Sequence, residues 1–267
     1  MEIRYLIFSF NMFASLFHTI LYLPLFNFFV FLYNILPGHD LGLVIFVITL
    51  LIRLALYPLT SSSIKAQRSM QELQPKLQEI KQLYPNDKQK QTQATMELYK
   101  NNKVNPLASC LPMLVQLPLL IALYLALRDG LASANLGQNL YAFVHNPGLL
   151  NPVSLWVINL SKPNVVLAVL AGLAQFWQAK SLSRQSPPKA AGVGGKDENM
   201  MAMMNKQMLY FMPFMTALIG LKLPAGLTLY WFFSTALMAI QQIILFKKHP
   251  VAEAAKVIEG EVLEVKK

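Results

Sequence analysis

The apolar residues of this chain are gathered into runs, and the runs have the length a bilayer demands. A helix needs about 20 mostly apolar residues to cross the hydrocarbon core. Five stretches qualify: residues 41–59, 106–127, 164–182, 207–223 and 226–246. Each is bounded by residues with a physical reason to start or stop a helix. Pro37-Gly38-His39-Asp40 breaks the chain before the first. Asn105-Pro106 opens the second, with an Asn suited to capping and a Pro suited to the first helical position. Lys162-Pro163-Asn164 serves the third in the same way. Lys222-Leu223-Pro224-Ala225-Gly226 is a tight turn, so the fourth and fifth runs form an antiparallel hairpin. The predicted fold class is all-α: a polytopic membrane protein with a five-helix core.

Residues 5–36 are almost wholly apolar and aromatic, interrupted by His18, Pro24, Asn27 and Asn34. They admit three readings. One is a signal-anchor span over 5–22 followed by a helix lying in the membrane interface. Another is a single interfacial helix over about 20–36, after a short lead-in. The third is a cleaved leader, for which Arg4 supplies a weakly positive start but no small-x-small cleavage site follows. We assign residues 1–40 to an N-terminal segment carrying an interfacial helix and leave the extra span open.

The polar stretches differ in kind. Residues 60–105 read as a helical hairpin: Met70, Leu73, Leu77, Ile80 and Tyr84 recur at 3–4 spacing and form one narrow apolar stripe. Pro75 interrupts its hydrogen bonding, Tyr84-Pro85-Asn86-Asp87 is the turn, and a second helix follows over about 87–101. Residues 128–163 form a loop between the second and third spans. Residues 183–206 read as a Met-rich linker, with Pro187, Pro188, Gly192, Gly194 and Gly195 followed by Met200, Met201, Met203 and Met204. Flexible thioethers suit a surface that receives varied apolar partners. Residues 247–267 are a polar tail of mixed charge.

Charge orients these pieces. Only 13% of the 267 residues are charged, against 55% hydrophobic, where soluble domains carry roughly 25% charged residues. The formal charge of +10 is concentrated: eight basic residues lie in 60–105, five in the linker with Lys180, and five in the tail, eighteen of 23 in all. With five spans these three regions share one side, and the positive-inside bias makes that side cytoplasmic. The first span then runs inward and the C-terminus is cytoplasmic. Cys110 is the only cysteine, which excludes a disulfide scaffold.

Catalytic constellations are missing. His18, His39, His145 and His249 are scattered without metal-ligand spacing, and there is no glycine-rich phosphate loop. The reading is of a non-enzyme without cofactor or metal. The informative residue is Arg53, inside the first span. Arginine at a helix centre costs about 2.5–3.5 kcal/mol on insertion scales. Snorkelling to the headgroups is one account of it. Against that, Thr49, Arg53 and Thr60 share a face with Tyr57 beside it, and the five spans hold no Asp or Glu to neutralise the guanidinium. Gln116, Gln175, Gln178, Thr216, Thr228, Ser234, Gln241 and Gln242 are further intramembrane polar positions. They either line a wet cavity or join helix to helix. Trp156 and Trp231 suit interface anchoring.

These residues also carry a resemblance. Ile52-Arg53-Leu54-Ala55-Leu56-Tyr57-Pro58-Leu59-Thr60 resembles the first core span of the YidC membrane-protein insertases, the family that includes the Oxa and Albino proteins. Glu72-Leu73-Gln74-Pro75-Lys76 is similar to the family's cytoplasmic hairpin. Val104-Asn105-Pro106-Leu107, Cys110-Leu111-Pro112 and Gln116-Leu117-Pro118 are similar to its second core span. Leu223-Pro224-Ala225-Gly226-Leu227-Thr228-Leu229-Tyr230-Trp231 is similar to the start of its last. Ala108-Ser109 departs from a pair of glycines frequent in the family. The resemblance implies a hydrophilic groove in the inner leaflet, with Arg53 as its arginine, Trp231 as a substrate-touching aromatic, and Gln178 or its rival Gln175 as a polar lining residue. Thr49, Tyr57 and Gln116 complete the expected groove, and Met70, Leu73, Leu77 and Ile80 the expected hairpin contacts. The implied activity is insertion of nascent membrane proteins into the bacterial plasma membrane. The implied partners are those clients, the ribosome and targeting factors, a Sec translocon and membrane lipids, with no nucleic-acid substrate. A secondary transporter or channel and a structural assembly factor are the competing classes.

Overall fold

The computed structural model describes residues 12, 14–109, 111–132, 136–155, 157–183 and 207–248. The Met cluster at 200–204, the rest of the linker from 184, Cys110, Trp156, the first eleven residues and the tail from 249 lie outside the described residues. The described chain is all-α apart from one small hairpin.

Helix α1, Leu23–Ile35, continues a helix that begins at Ala14, and Ala14–Ile35 is by length and composition able to cross a membrane. Pro24 lacks an N–H to donate backward, and it follows directly on a π turn, His18–Tyr22. One face of α1 is buried through Tyr22, Phe26, Phe29, Val30 and Tyr33. The other exposes Leu16, Ile20, Phe28, Phe31 and Ile35, at the 3–4 spacing of an apolar stripe. The buried face is pinned along much of its length to the end of the helix over 111–132 and to the loop that follows it. Tyr22 Oη donates to Asp129 Oδ2 at 2.6 Å, Asn27 Nδ2 to the Asn139 carbonyl at 2.8 Å, and Asn34 Nδ2 to the His145 carbonyl at 2.7 Å. The Tyr33 hydroxyl accepts from the Asn151 N–H at 3.0 Å.

Helix α2, Leu41–Ala55, is capped by Asp40, which accepts from the Leu43 N–H at 3.0 Å. Helix α3, Tyr57–Glu72, follows after a bend of 67° at Leu56. An uninterrupted apolar run suggests one straight span over 41–59. Pro58 cannot donate to the Leu54 carbonyl, and its ring crowds that turn, so the helix axis changes direction there. The predicted hairpin forms as α4, Gln74–Leu83, and α5, Lys88–Asn101, the latter capped by Asp87. Leu73 and Leu77 are buried, while Met70, Ile80 and Tyr84 are half-buried.

Helix α6, Leu111–Ala132, starts after a 3-10 turn over Pro106–Ser109, later than Asn105-Pro106 suggests, and runs past residue 127. Strands β1, Val153–Ser154, and β2, Ile158–Asn159, pair antiparallel within the following loop. Helix α7, Val165–Ser183, is capped by Asn164, whose Oδ1 accepts from the Leu167 N–H. Helix α8, Met212–Gly220, is short and follows a π turn over Gln207–Phe211; helix α9 spans Ala225–Lys248.

Residue pairings give the helix directions. Arg53 meets Ser234 and Thr60 meets Gln241, so α9 runs parallel to α2 and α3. Gln116 meets Tyr230 and Leu127 approaches Gly226, so α6 runs antiparallel to α9. Ala168 approaches Gly220 and Gly172 approaches Ala217 and Pro213, so α8 is antiparallel to α7. Direction therefore alternates through α2, α6, α7, α8 and α9, as five successive crossings require. The small residues at the α7–α8 contact let the two backbones approach closely.

The apolar core is concentrated toward the loop end. Phe26, Phe29, Leu41, Ile45, Ile48, Leu123, Leu127, Leu160 and Tyr230 belong to one buried cluster. Toward the hairpin end a small cluster of Ile64, Leu245 and Phe246 remains. Helices α6 and α7 each pack on α9 without forming an extended interface with each other.

Candidate functional site

Between the two apolar clusters lies a polar seam where α2, α3, α6 and α9 meet. Its side chains come from regular spacing on α9: Tyr230, Ser234 and Gln241 follow at i, i+4 and i+11, which a helix places on one face. Tyr230 is 2% exposed. The Gln116 amide donates to its hydroxyl at 2.6 Å. One turn on, the Ser234 hydroxyl accepts from Arg53 Nη2 at 2.6 Å. The Tyr230 hydroxyl is itself within interaction range of Ser234 and of the guanidinium. Gln116, Tyr230, Ser234 and Arg53 thus form one polar chain across three spans.

The guanidinium enters this chain unneutralised. The ion pairs among the described residues are Arg68–Glu72, Lys90–Asp87 and Arg128–Asp129, none of which reaches Arg53. A hydroxyl satisfies an N–H of the guanidinium but leaves its charge. In a low-dielectric setting that charge attracts anionic groups far more strongly than it would in water.

Toward the hairpin end, the Gln241 amide donates to Thr60 Oγ1 at 2.8 Å, to Ser61 Oγ at 3.0 Å and to the Tyr57 carbonyl at 3.3 Å. This cluster ties α9 to the first turn of α3. Beyond it, the Arg68 guanidinium sits 5.5 Å from the centre of the Phe246 ring.

The remaining expected groove residues fall in different places. Thr49 shares the Arg53 face but is buried, and its hydroxyl donates to the Ile45 carbonyl one turn back. Tyr57 is 41% exposed at the start of α3, with its ring outside the polar chain and its carbonyl inside. Gln175 and Gln178 hydrogen-bond to each other at 3.3 Å on α7. Trp231 is half-buried, turned about 100° around α9 from Tyr230. It occupies the sector between the Tyr230–Ser234–Gln241 face and the face carrying Thr228 and Gln242. Thr228 lies against α8, within bonding reach of the Gly220 carbonyl.

Sequence reasoning did not single out Tyr230 or pair Ser234 with Arg53. The available signal was the run of Tyr230, Ser234 and Gln241 down one side of a span, each polar where lipid offers no partner.

Together these features define a multi-pass helical membrane protein with a cation-bearing polar seam inside its bundle. Residues 31–253 match the model of the family described as 60Kd inner membrane protein. The membrane protein insertase YidC of Fusobacterium nucleatum subsp. nucleatum is 38% identical over 209 residues, covering 78% of this chain and 87% of its own length. The Oceanobacillus iheyensis insertase is 36% identical over 210 residues, covering 77% and 74%. The Geobacter metallireducens protein is 34% identical over 218 residues, covering 81% of this chain but 35% of its own length. This chain thus spans about a third of the longer relatives. A crystal structure of an active YidC insertase with its first transmembrane domain resolved matches with a TM-score of 0.55 at 24% identity, covering 84% of this chain and 45% of that one. The chain belongs to the 60Kd inner membrane protein family, that of the YidC membrane protein insertases, and is a multi-pass inner-membrane protein.

Proposed function

We propose that the polar seam is where this insertase accepts the hydrophilic flank of a nascent membrane protein. The observation that carries the reading is Arg53, a cation inside a span whose bonded partner is the neutral hydroxyl of Ser234. A flank entering the membrane must shed water at a cost of several kcal/mol for each unsatisfied polar group. Hydroxyls, amides and a guanidinium lower that cost, and Arg53 favours acidic flanks in particular. The client's apolar segment then partitions into lipid while the membrane potential draws an acidic flank outward, at about 2.3 kcal/mol per charge per 100 mV.

Sidedness follows from charge. The hairpin end bears the concentration of basic residues and is the cytoplasmic end, so the linker and the C-terminus are cytoplasmic. The apolar cluster toward the loop end closes the bundle on the outside. Helix α1 lies in the outer interface: its hydrogen bonds to the 128–163 segment recur over several turns while its exposed apolar stripe faces lipid. The α4–α5 hairpin receives clients from the ribosome and targeting factors, with Met70, Leu73, Leu77 and Ile80 as its apolar stripe. A Sec translocon and membrane lipids complete the partners. Thr49, Tyr57, Gln116, Gln175, Gln178 and Trp231 flank the client path with Arg53.

A photocrosslinker placed at Trp231 tests the reading with stalled nascent chains of increasing length. The expected result is an adduct that appears over a window of lengths and then fades as the span leaves for lipid. An adduct independent of length would contradict a transient client site.

A further inference from the structure

Arg53 hydrogen-bonds to a hydroxyl side chain of α9, that of Ser234. Ser234 Oγ accepts from Nη2 at 2.6 Å and is 3% exposed. Its position is held from both sides: Tyr230, one turn earlier, is tied to Gln116, and Gln241, seven residues later, is tied to Thr60 and Ser61. These contacts fix α9 against α6 and α3, so the hydroxyl is held in place against the guanidinium. A hydroxyl oxygen is a neutral acceptor. A carboxylate is an anionic one that binds a guanidinium fork through two parallel bonds, and it alone cancels the charge.

We propose that Ser234 is a resting placeholder for the Arg53 guanidinium and that it sets how strongly the seam prefers acidic over neutral client flanks. The inference rests on the proposed client site and goes further by assigning specificity to a residue on another helix. In the resting protein, Ser234 oxygen occupies one N–H of Arg53. An incoming Asp or Glu carboxylate displaces that oxygen, and the Ser234 hydroxyl then turns to the neighbouring Tyr230 oxygen. No covalent bond changes. Because the placeholder is neutral, displacement exchanges a weaker acceptor for a stronger one and is favourable for acids. A neutral flank offers an acceptor no better than the hydroxyl it would replace. Had α9 supplied a carboxylate here, the guanidinium would be neutralised permanently and the preference lost.

The test uses the full chain in liposomes with two probe clients, identical single-span peptides whose N-terminal flanks carry either two Asp or two Asn. The readout is the ratio of their insertion yields. Ser234→Asp should lower the acid-over-neutral ratio by about tenfold, since an internal carboxylate competes with the client's. Ser234→Ala should raise it, and Ser234→Thr, which keeps a hydroxyl, should match the parent. If Ser234→Asp fails to accumulate, the Ala and Thr variants decide alone. An unchanged ratio in Ser234→Ala overturns the placeholder role. The same plates include Arg53→Ala. If that variant loses the acid preference while all Ser234 variants match the parent, the client-site reading stands and the Ser234 proposal fails. If Arg53→Ala also matches the parent, the client-site reading itself fails.

Discussion

Thr60 and Gln241 meet at 2.8 Å across 181 positions of sequence, the same separation that joins Arg53 to Ser234. A constant offset over two contacts two turns apart means α9 follows the broken span α2–α3 without slipping. The register survives the 67° bend between the two contacts. Gln241 supplies the reason, since it also reaches Ser61 and the Tyr57 carbonyl at the bend.

Gln241→Leu removes all three interactions and leaves the Ser61 hydroxyl buried beside a hydrocarbon side chain, while the Thr60 hydroxyl still donates to the Leu56 carbonyl. Each unsatisfied buried polar group costs about 1–3 kcal/mol. The expected outcome is a lower thermal midpoint in detergent, with the Arg53–Ser234 contact weakened as well. Comparing the melting curves of the variant and the parent checks it, and an unchanged midpoint would count against the seam as a register device.

The α7–α8 contact makes a separate steric prediction. A Cβ on Gly172 would lie 3.0 Å from both the Ala217 Cβ and the Pro213 carbonyl oxygen. Gly172→Val should therefore force the helices apart, at about 1–3 kcal/mol for overpacking. Gly172→Ala, with one methyl group, should be milder. Thermal midpoints in detergent for the two variants against the parent check it, and equal midpoints for Gly172→Val and the parent would refute the steric reading.

Asp40 predicts a pH dependence at the loop end. Burial pushes its carboxyl up, but donation from the Ser154 hydroxyl and the Leu155, Leu43 and Gly42 N–H groups outweighs it and holds the group below its ordinary value. An unfolded Asp titrates near about 3.9. Its folded value is lower, so its stabilisation is complete above that pH and drains away as pH falls through the folded value. Amide protection factors in residues 151–159, taken against the intrinsic exchange rate at each pH, should fall as the medium is acidified below about pH 4. Asp40→Asn should remove that pH dependence, and an unaltered acid profile in the variant would refute the assignment.

Much of the fold was legible because lipid leaves a chain few options. Apolar runs, their Asn-Pro starts and the Leu223-Pro224 turn marked the helices, and the scarcity of charge made Arg53 conspicuous. What was not legible depends on contacts distant in sequence. Thr49 shares a face with Arg53, yet its hydroxyl is spent on the Ile45 carbonyl, a local choice that spacing does not reveal. Tyr230 and Trp231 are adjacent and both aromatic, and only the packing of α6 on α9 decides which one joins Gln116. Pro58 was in plain view, but an apolar run on either side of it masks a change of helix direction. The small β1–β2 pairing depends on Asp40, more than a hundred residues earlier, accepting from Ser154 and Leu155.

On the proposed function, the unneutralised charge of Arg53 draws acidic flanks into the membrane. This is tested most directly by inserting a single-span client with an acidic N-terminal flank into liposomes holding the purified protein as parent, Arg53→Ala or Arg53→Lys. Protease protection of the flank is the readout. Near-complete loss is expected for Arg53→Ala and partial retention for Arg53→Lys, which keeps a cation but not the fork. Equal protection for Arg53→Ala and the parent would contradict it.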